Sequence, residues 1–218
     1  MFLHTASLCF ALLALAASMP LAAADNVLTR AQALKAIEQP QATTRRAAVE
    51  RLAEVGSMAD ADRLVGRLSD EDRQVRQLTE AALWRIWSRS GDTAIDALQA
   101  HGVEQMEAGQ LAVALRTFSE IIRRKPAFAE GWNKRATIYY LLGQYALAMK
   151  DCDEVLKRNQ NHFGALSGYG QIYISLGDFE LAIQYLERAL KVNPNLPGAA
   201  TAIRALEQQV DEKKRKTI

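Results

Sequence analysis

The feature that most limits the fold of this sequence is a 34-residue repeat that runs without a gap through its second half. Stepping by 34 residues from Trp132, small residues fall on small residues and large apolar residues fall on large apolar ones. The three registers read Leu98, Gly102, Ala114 and Phe118; Trp132, Ala136, Ala148 and Cys152; and Leu166, Gly170, Ala182 and Leu186. A fixed period of this length is typical of a solenoid, in which each unit buries its apolar face against the next.

The pattern within each unit predicts two antiparallel helices. Gly109, Gly143 and Gly177 stand where the first helix should end, and glycine suits the positive φ of a tight turn. Small residues on both helices should let the two backbones approach closely. We expect Gly102 to face Ala114, Ala136 to face Ala148, and Gly170 to face Ala182.

The period of 34 and the order Trp, small residue, Tyr, Gly, Ala and Pro resemble the tetratricopeptide repeat. The resemblance falls within residues 91–196 and divides them into three units, 95–128, 129–162 and 163–196. It implies an all-α, right-handed solenoid of antiparallel helix pairs, whose first helices line a concave face. An amphipathic helix at 197–210 should cap the last unit.

Upstream, residues 25–90 repeat with a period of 31, which places Arg45 on Arg76 and Leu52 on Leu83. The segment 68–76 is similar to short HEAT-like repeats, which implies acidic residues that cap helices and arginines that pair with the neighbouring repeat. Helical hairpins of no named family are the alternative.

The junction at 90–92 is short, so we expect one curved superhelix through both sections. We expect Trp84 and Trp87 to pack on the first tetratricopeptide helix; the alternative is that they form an exposed aromatic patch.

Residues 1–24 have the layout of a secretory signal peptide of bacterial type. No charged residue occurs between Phe2 and Ala24, and the small residues at 22–24 suit a signal peptidase. The sequence therefore predicts a mature chain that begins at Asp25 in the periplasm or outside the cell, with no stable membrane insertion after cleavage. An uncleaved N-terminal anchor is the alternative. Cleavage would remove Cys9 and leave Cys152 alone, without an internal disulfide.

Charge and motif content argue against several functions. The 27 basic and 25 acidic residues give a net charge of only +2, which does not favour nucleic acid. His101, His162 and Cys152 show no metal-ligand spacing, and no catalytic motif occurs, so we expect no enzyme activity, metal or cofactor. Cys152 occupies the large apolar position of its repeat and should be buried. The basic tail at 211–218 should be a frayed helix end with at most weak contact to anionic surfaces.

The resemblance also implies a peptide-binding groove along the concave face. Nine positions should line it: Gln99, Val103, Met106, Asn133, Thr137, Tyr140, Ser167, Gln171 and Ile174. Family members that grip chaperone C-termini hold the terminal carboxylate with a clamp of Lys, Asn and Arg. Asn133 matches that clamp, but Gln99 and Val103 replace two of its residues.

Gly164 and Gly168 stand where the clamp has its two remaining cations, so the carboxylate clamp is absent. The sequence thus predicts an exported, non-enzymatic scaffold or adaptor that binds a protein or peptide in the groove. The alternative is a holdase-like chaperone or assembly factor for exported or outer-membrane proteins.

Overall fold

The computed structural model describes residues 27–217, and all regular structure in this range is helical. The proposed leader lies outside the described residues. Among those described, no helix is long and apolar enough to cross a membrane. The first section contains α1 (Arg30–Ala36), α2 (Ala42–Val55), a 3-10 turn (Met58–Asp60), α3 (Ala61–Arg67) and α4 (Arg73–Trp87). The second contains α5 (Thr93–Glu107), α6 (Leu111–Arg124), α7 (Ala129–Leu141), α8 (Tyr145–Arg158), α9 (Phe163–Leu176), α10 (Phe179–Val192) and α11 (Ala199–Thr217).

Helices α5 to α10 form three pairs, each joined by a tight turn through a glycine. Gly109, Gly143 and Gly177 have φ angles of 71°, 70° and 75°, which confirms the predicted left-handed backbone at these positions. Helix α11 packs on α10 and buries Ile203 and Leu206 against the last pair. It continues to Thr217, so the cap is longer than the predicted 197–210 and includes most of the basic segment that was expected to be a frayed helix end.

Small residues of the first helices make room for the large apolar residues of the second helices. A Cβ atom added to Gly102 would lie 2.7 Å from the ring of Phe118, and one added to Gly170 would lie 2.7 Å from Leu186. In the middle pair, Ala136 shares a buried cluster with its predicted partner Ala148 and with Cys152. A Cβ atom at Gly170 would also lie 3.6 Å from the carbonyl oxygen of Ala182, as the predicted pairing requires, whereas the nearest atoms at Gly102 belong to Phe118 and not to Ala114.

The first section is held together by a ladder of arginines. The guanidinium group of Arg45 donates two hydrogen bonds of 2.8 Å to the carboxylate of Asp70 in the following repeat, and both side chains are buried. Arg45 also donates to the carbonyl oxygens of Gln39 and Pro40, which ties down the loop before α2. This pairing between neighbours is the one that the resemblance to HEAT-like repeats implies, whereas membership of the HEAT-like group stays a prediction.

The first section does not extend the solenoid by stacking on the first tetratricopeptide pair. Its buried cluster includes Phe163, and Val192 and Leu196 pack against it, whereas no residue of α5 or α6 belongs to it. Trp87 stacks on His162 with ring centroids 4.5 Å apart, and Trp84 meets Phe163 at 5.2 Å. The expected packing of the tryptophans on the first helix of the array is thus wrong: the first section packs on the start of α9 and on the segment at the end of α10.

Hydrogen bonds also join the first section to the loops of the repeat array. Asn161, in the loop between α8 and α9, donates to Asp62 at 3.0 Å. Arg76 repeats the role of Arg45 in its own repeat, but it donates to the side-chain oxygen of Asn195 at 2.9 Å instead of to an aspartate. Asn195 in turn donates to the carbonyl oxygen of Leu68 at 2.7 Å. The first section therefore lies across the loops that connect successive pairs.

Candidate functional site

A pocket of about 190 Å³ opens between the first helices of the second and third pairs, α7 and α9. Ala136, Ala165 and Ile172 form apolar walls, and Cys152 lies among the lining residues. Gly164 and Gly168 line it without a side chain. No lysine, arginine, aspartate or glutamate is among the lining residues. An uncharged, concave site of this size suits an apolar side chain.

Cys152 is a packing residue, as the sequence predicted. Its side chain is buried. Burial raises the pKa of its thiol to about 12, with a smaller contribution from the negative charges of Asp151 and Asp153. A thiol with so high a pKa is a poor nucleophile at neutral pH.

The glycine at position 168 leaves the space above this thiol open. A Cβ atom at Gly168 would lie 3.7 Å from the sulfur of Cys152, which is an ordinary contact, so the fold does not require glycine there. A long side chain at Gly168 would instead occupy the pocket. The pocket thus depends on the absence of a side chain at this position.

Polar groups surround the mouth of the pocket. Thr137 donates from its hydroxyl to the carbonyl oxygen of Asn133 at 3.0 Å, and the Asn133 amide donates to Glu130 at 3.1 Å. Gln171 is exposed, and its side chain has no hydrogen bond in the described part of the protein. Ser175 reaches the hydroxyl of Tyr140 at 3.5 Å. The Gln171 amide is therefore available to pair with the backbone of an extended peptide.

Four of the nine predicted groove residues meet at this pocket: Asn133, Thr137, Tyr140 and Gln171. Gln99 is only 5% exposed, so little of its side chain is accessible. The remaining four lie outside the pocket and are partly buried. Val103 and Met106 pack against the buried cluster of the first helix pair, Ile174 packs against the buried cluster of the last pair, and Ser167 lies on α9.

A buried Glu130–His162 pair beside the pocket was not predicted. The carboxylate of Glu130 lies 3.2 Å from Nε2 of His162, and the backbone N–H of Ala165 donates to Nδ1, so a neutral ring carries its proton on Nε2. Burial tends to raise the pKa of Glu130, but the hydrogen bonds and charges of His162 and Lys134 outweigh it and hold that pKa below its usual value. The pair fixes the start of α9.

The repeat contains no signal for this pair. The positions equivalent to Glu130 hold Asp96 and Gly164, so its partner in the next loop could not be inferred from the period. Within residues 27–217, no group of three or more His, Cys, Asp or Glu side chains is placed to hold a metal ion.

Family models described as tetratricopeptide repeat match residues 100–162 and residues 139–210. No match is found among curated protein sequences. Together the sequence models cover residues 100–210, which is most of the second section, while the first section has no counterpart among them.

Solved structures with a similar fold cover about half of the chain. The first tetratricopeptide domain of Spaghetti (RPAP3), solved with the HSP90 peptide SRMEEVD, is 24% identical with a TM-score of 0.52, over 54% of this chain and 93% of that one. The Sgt2 domain from Aspergillus fumigatus is 18% identical with a TM-score of 0.53, over 57% and 83%. The Yersinia enterocolitica type III secretion translocator chaperone SycD is 14% identical with a TM-score of 0.52, over 54% and 95%. These likenesses concern the fold.

Proposed function

Because the chain belongs to the tetratricopeptide repeat family, we propose that it is a protein-interaction adaptor. It holds an extended, uncharged segment of another polypeptide along its concave face, with one apolar side chain of that segment in the pocket between α7 and α9. The observation that carries this proposal is the uncharged pocket of about 190 Å³ at which four of the predicted groove positions meet. An adaptor of this kind needs no catalytic group.

The chemistry of the pocket distinguishes its ligand from that of a carboxylate clamp. The Spaghetti domain was solved with the peptide SRMEEVD, which is acidic. In this chain the lining glycines Gly164 and Gly168 leave no cation to pair with a carboxylate there. A buried, unpaired charge is costly, so this pocket should select an apolar side chain within a segment over a charged terminus.

The test is to fill the pocket without disturbing the fold. Peptides selected on the wild-type protein should be uncharged and share an apolar residue. In Gly168→Met, the new side chain should occupy the pocket and weaken binding of a selected peptide about tenfold or more, which corresponds to the loss of one buried apolar side chain. Isothermal titration calorimetry measures the change.

Two matched variants control this experiment. Gly168→Ala adds only the Cβ atom that the structure accommodates 3.7 Å from Cys152, and it should bind much more tightly than the methionine variant. Ala146→Met places the same side chain on the exposed surface of α8 and should bind like the wild type. If Gly168→Met keeps both the wild-type affinity for the peptide and the wild-type thermal stability, the pocket is not part of the binding site.

We further propose that the adaptor acts after export. The support is the uncharged, apolar leader at 1–24 that ends in three alanines. Expression of the full chain in a bacterial host should give periplasmic protein whose intact mass corresponds to a chain beginning at Asp25. A full-length mass in the membrane fraction would favour the uncleaved anchor instead.

A holdase-like chaperone is a second candidate, favoured by exposed leucines near the turns within the repeats. Leu141, Leu142, Leu147 and Leu176 are between 41% and 56% exposed. Such a surface suits weak contact with many unfolded chains. If this function holds, the protein suppresses aggregation of an unfolded test protein, and Gly168→Met suppresses it equally well.

A further inference from the structure

A second cleft, of about 320 Å³, lies where the first section meets the loops of the repeat array. Met58 and Trp87 contribute to it from the first section, and Phe128 lines it from the loop before α7. Arg89, Lys125 and Arg158 supply three cationic side chains, and no acidic residue is among those that line it. The cleft is a product of the docking between the two sections, because neither section supplies all of its walls.

Two of these cations have no carboxylate partner in the described part of the chain. The guanidinium group of Arg89 donates to the carbonyl oxygens of Glu54 and Gly56, which leaves its charge uncompensated. Lys125 makes no ion pair in that part of the chain. It does lie near Asp92: the pKa of the Asp92 carboxyl is lowered mainly by hydrogen bonds from the backbone of Ile95 and Ala94, and the charge of Lys125 adds a smaller effect. Arg158 differs, since it pairs with Glu154 at 2.7 Å.

Two residues that line the cleft, Trp87 and Asn159, are themselves buried, and each has a side-chain N–H without an acceptor within residues 27–217. Trp87 is 3% exposed and Asn159 is 9% exposed, and for both the side-chain N–H finds no partner among the described residues. Asn159 already uses its side-chain oxygen to accept from the backbone of Asn161. Phe128, at the N-cap of α7, offers no side-chain hydrogen bond to the first turn of that helix. The excess positive charge along the lining favours an anion, and the N-terminus of α7 beside it adds to this preference.

We propose that this cleft binds a carboxylate attached to an apolar body. The carboxylate lies between Arg89 and Lys125, and the apolar part packs against Met58, Trp87 and Phe128. Two cations that hold no ion pair in the described part of the chain, beside aromatic walls, match a ligand that combines one anionic group with apolar surface. This site is separate from the groove pocket and does not depend on the adaptor function.

Phenylacetate is a suitable probe, because it carries both chemical features. In a ¹H–¹⁵N spectrum of the full chain, titration with phenylacetate should move the indole N–H resonance of Trp87, identified by its loss in Trp87→Phe. Phenylacetamide has the same body without the charge and should bind at least about tenfold more weakly, since charge-assisted hydrogen bonds are lost. Equal binding of the two would overturn the proposal, as would the absence of any shift.

Two variants test the residues assigned to the site. Lys125→Gln removes a cation that holds no ion pair in the described structure, and it should weaken phenylacetate about tenfold without changing the melting temperature. Ala127→Trp fills the cleft from an exposed loop position and should abolish the shift. Arg116→Gln, an exposed change on α6 away from the cleft, should leave affinity unchanged. Wild-type affinity in Lys125→Gln would refute the assignment.

Further binding measurements identify the source of the carboxylate and test how much the apolar walls contribute to affinity. One probe is a short peptide that ends in Phe with a free C-terminal carboxylate. If it binds more tightly than phenylacetate and more tightly than the same peptide with an amidated C-terminus, the site is assigned to a polypeptide C-terminus. Binding no tighter than phenylacetate assigns it to a free small molecule. Inorganic phosphate that binds as tightly as phenylacetate would overturn the role of the apolar walls.

Discussion

Asp70→Ala should lower the free energy of unfolding by about 3–5 kcal/mol, because it removes one partner of a buried ion pair. The side chains of Arg45 and Asp70 are only 4% and 2% exposed, so the arginine would keep its charge without a buried counter-ion. Chemical denaturation followed by circular dichroism measures the change. Asp62→Ala is the matched control: it removes an exposed carboxylate whose hydrogen bond to Asn161 is at the surface, and it should cost less than about 1 kcal/mol.

The same pair predicts a dependence on pH. Burial tends to raise the pKa of Asp70, but hydrogen bonds from Arg45 and from the backbone of Asp72 outweigh it and hold the pKa below its usual value. A carboxyl whose pKa is lower in the folded state stabilises the fold above its unfolded pKa of about 3.9, and this contribution disappears as the pH falls through the folded pKa. The difference between wild type and Asp70→Ala should therefore narrow below about pH 4. A constant difference down to pH 2 would contradict this account of the pair.

Trp87→Ala should cost about 3–5 kcal/mol, the range for removing a large aromatic side chain from a core. Trp87 is 3% exposed and contacts Trp84, His162 and Phe163, with ring centroids between 4.5 and 5.3 Å from its own. Its loss leaves a cavity between the two sections. We expect the first section to separate from the repeat array before the array unfolds, which thermal unfolding would show as two transitions.

Limited proteolysis provides a second measurement of this separation. Trypsin should cut the variant faster after Arg89, because that residue lies in the link between the sections and is held by carbonyl oxygens of the first. Trp132→Ala is the control with the same change in size. Trp132 is half-buried and lies under Arg135 and Arg158, so its loss should cost less and leave a single transition. A single transition in Trp87→Ala as well would mean that the docking does not depend on this ring.

Within the repeat array, most of the fold could be predicted from the sequence. The turn glycines, the burial of Cys152 and the helical pairs all follow from contacts between each unit and its immediate neighbour, which the period of 34 records directly. The groove was predictable only in part. Asn133, Thr137, Tyr140 and Gln171 meet at one pocket, but the space above Cys152 depends on which helix face turns inward, and that is decided by packing.

The sequence by itself determined which residues repeat, and therefore that the array is built from helical pairs closed by glycine turns. The tertiary structure alone decided where the first section lies and that a cationic cleft exists beside Trp87. The physical reason is the distance along the chain between the partners. Leu68 and Asn195 are 127 residues apart and belong to different periods, so their contact depends on complementary loop surfaces that no repeat pattern encodes.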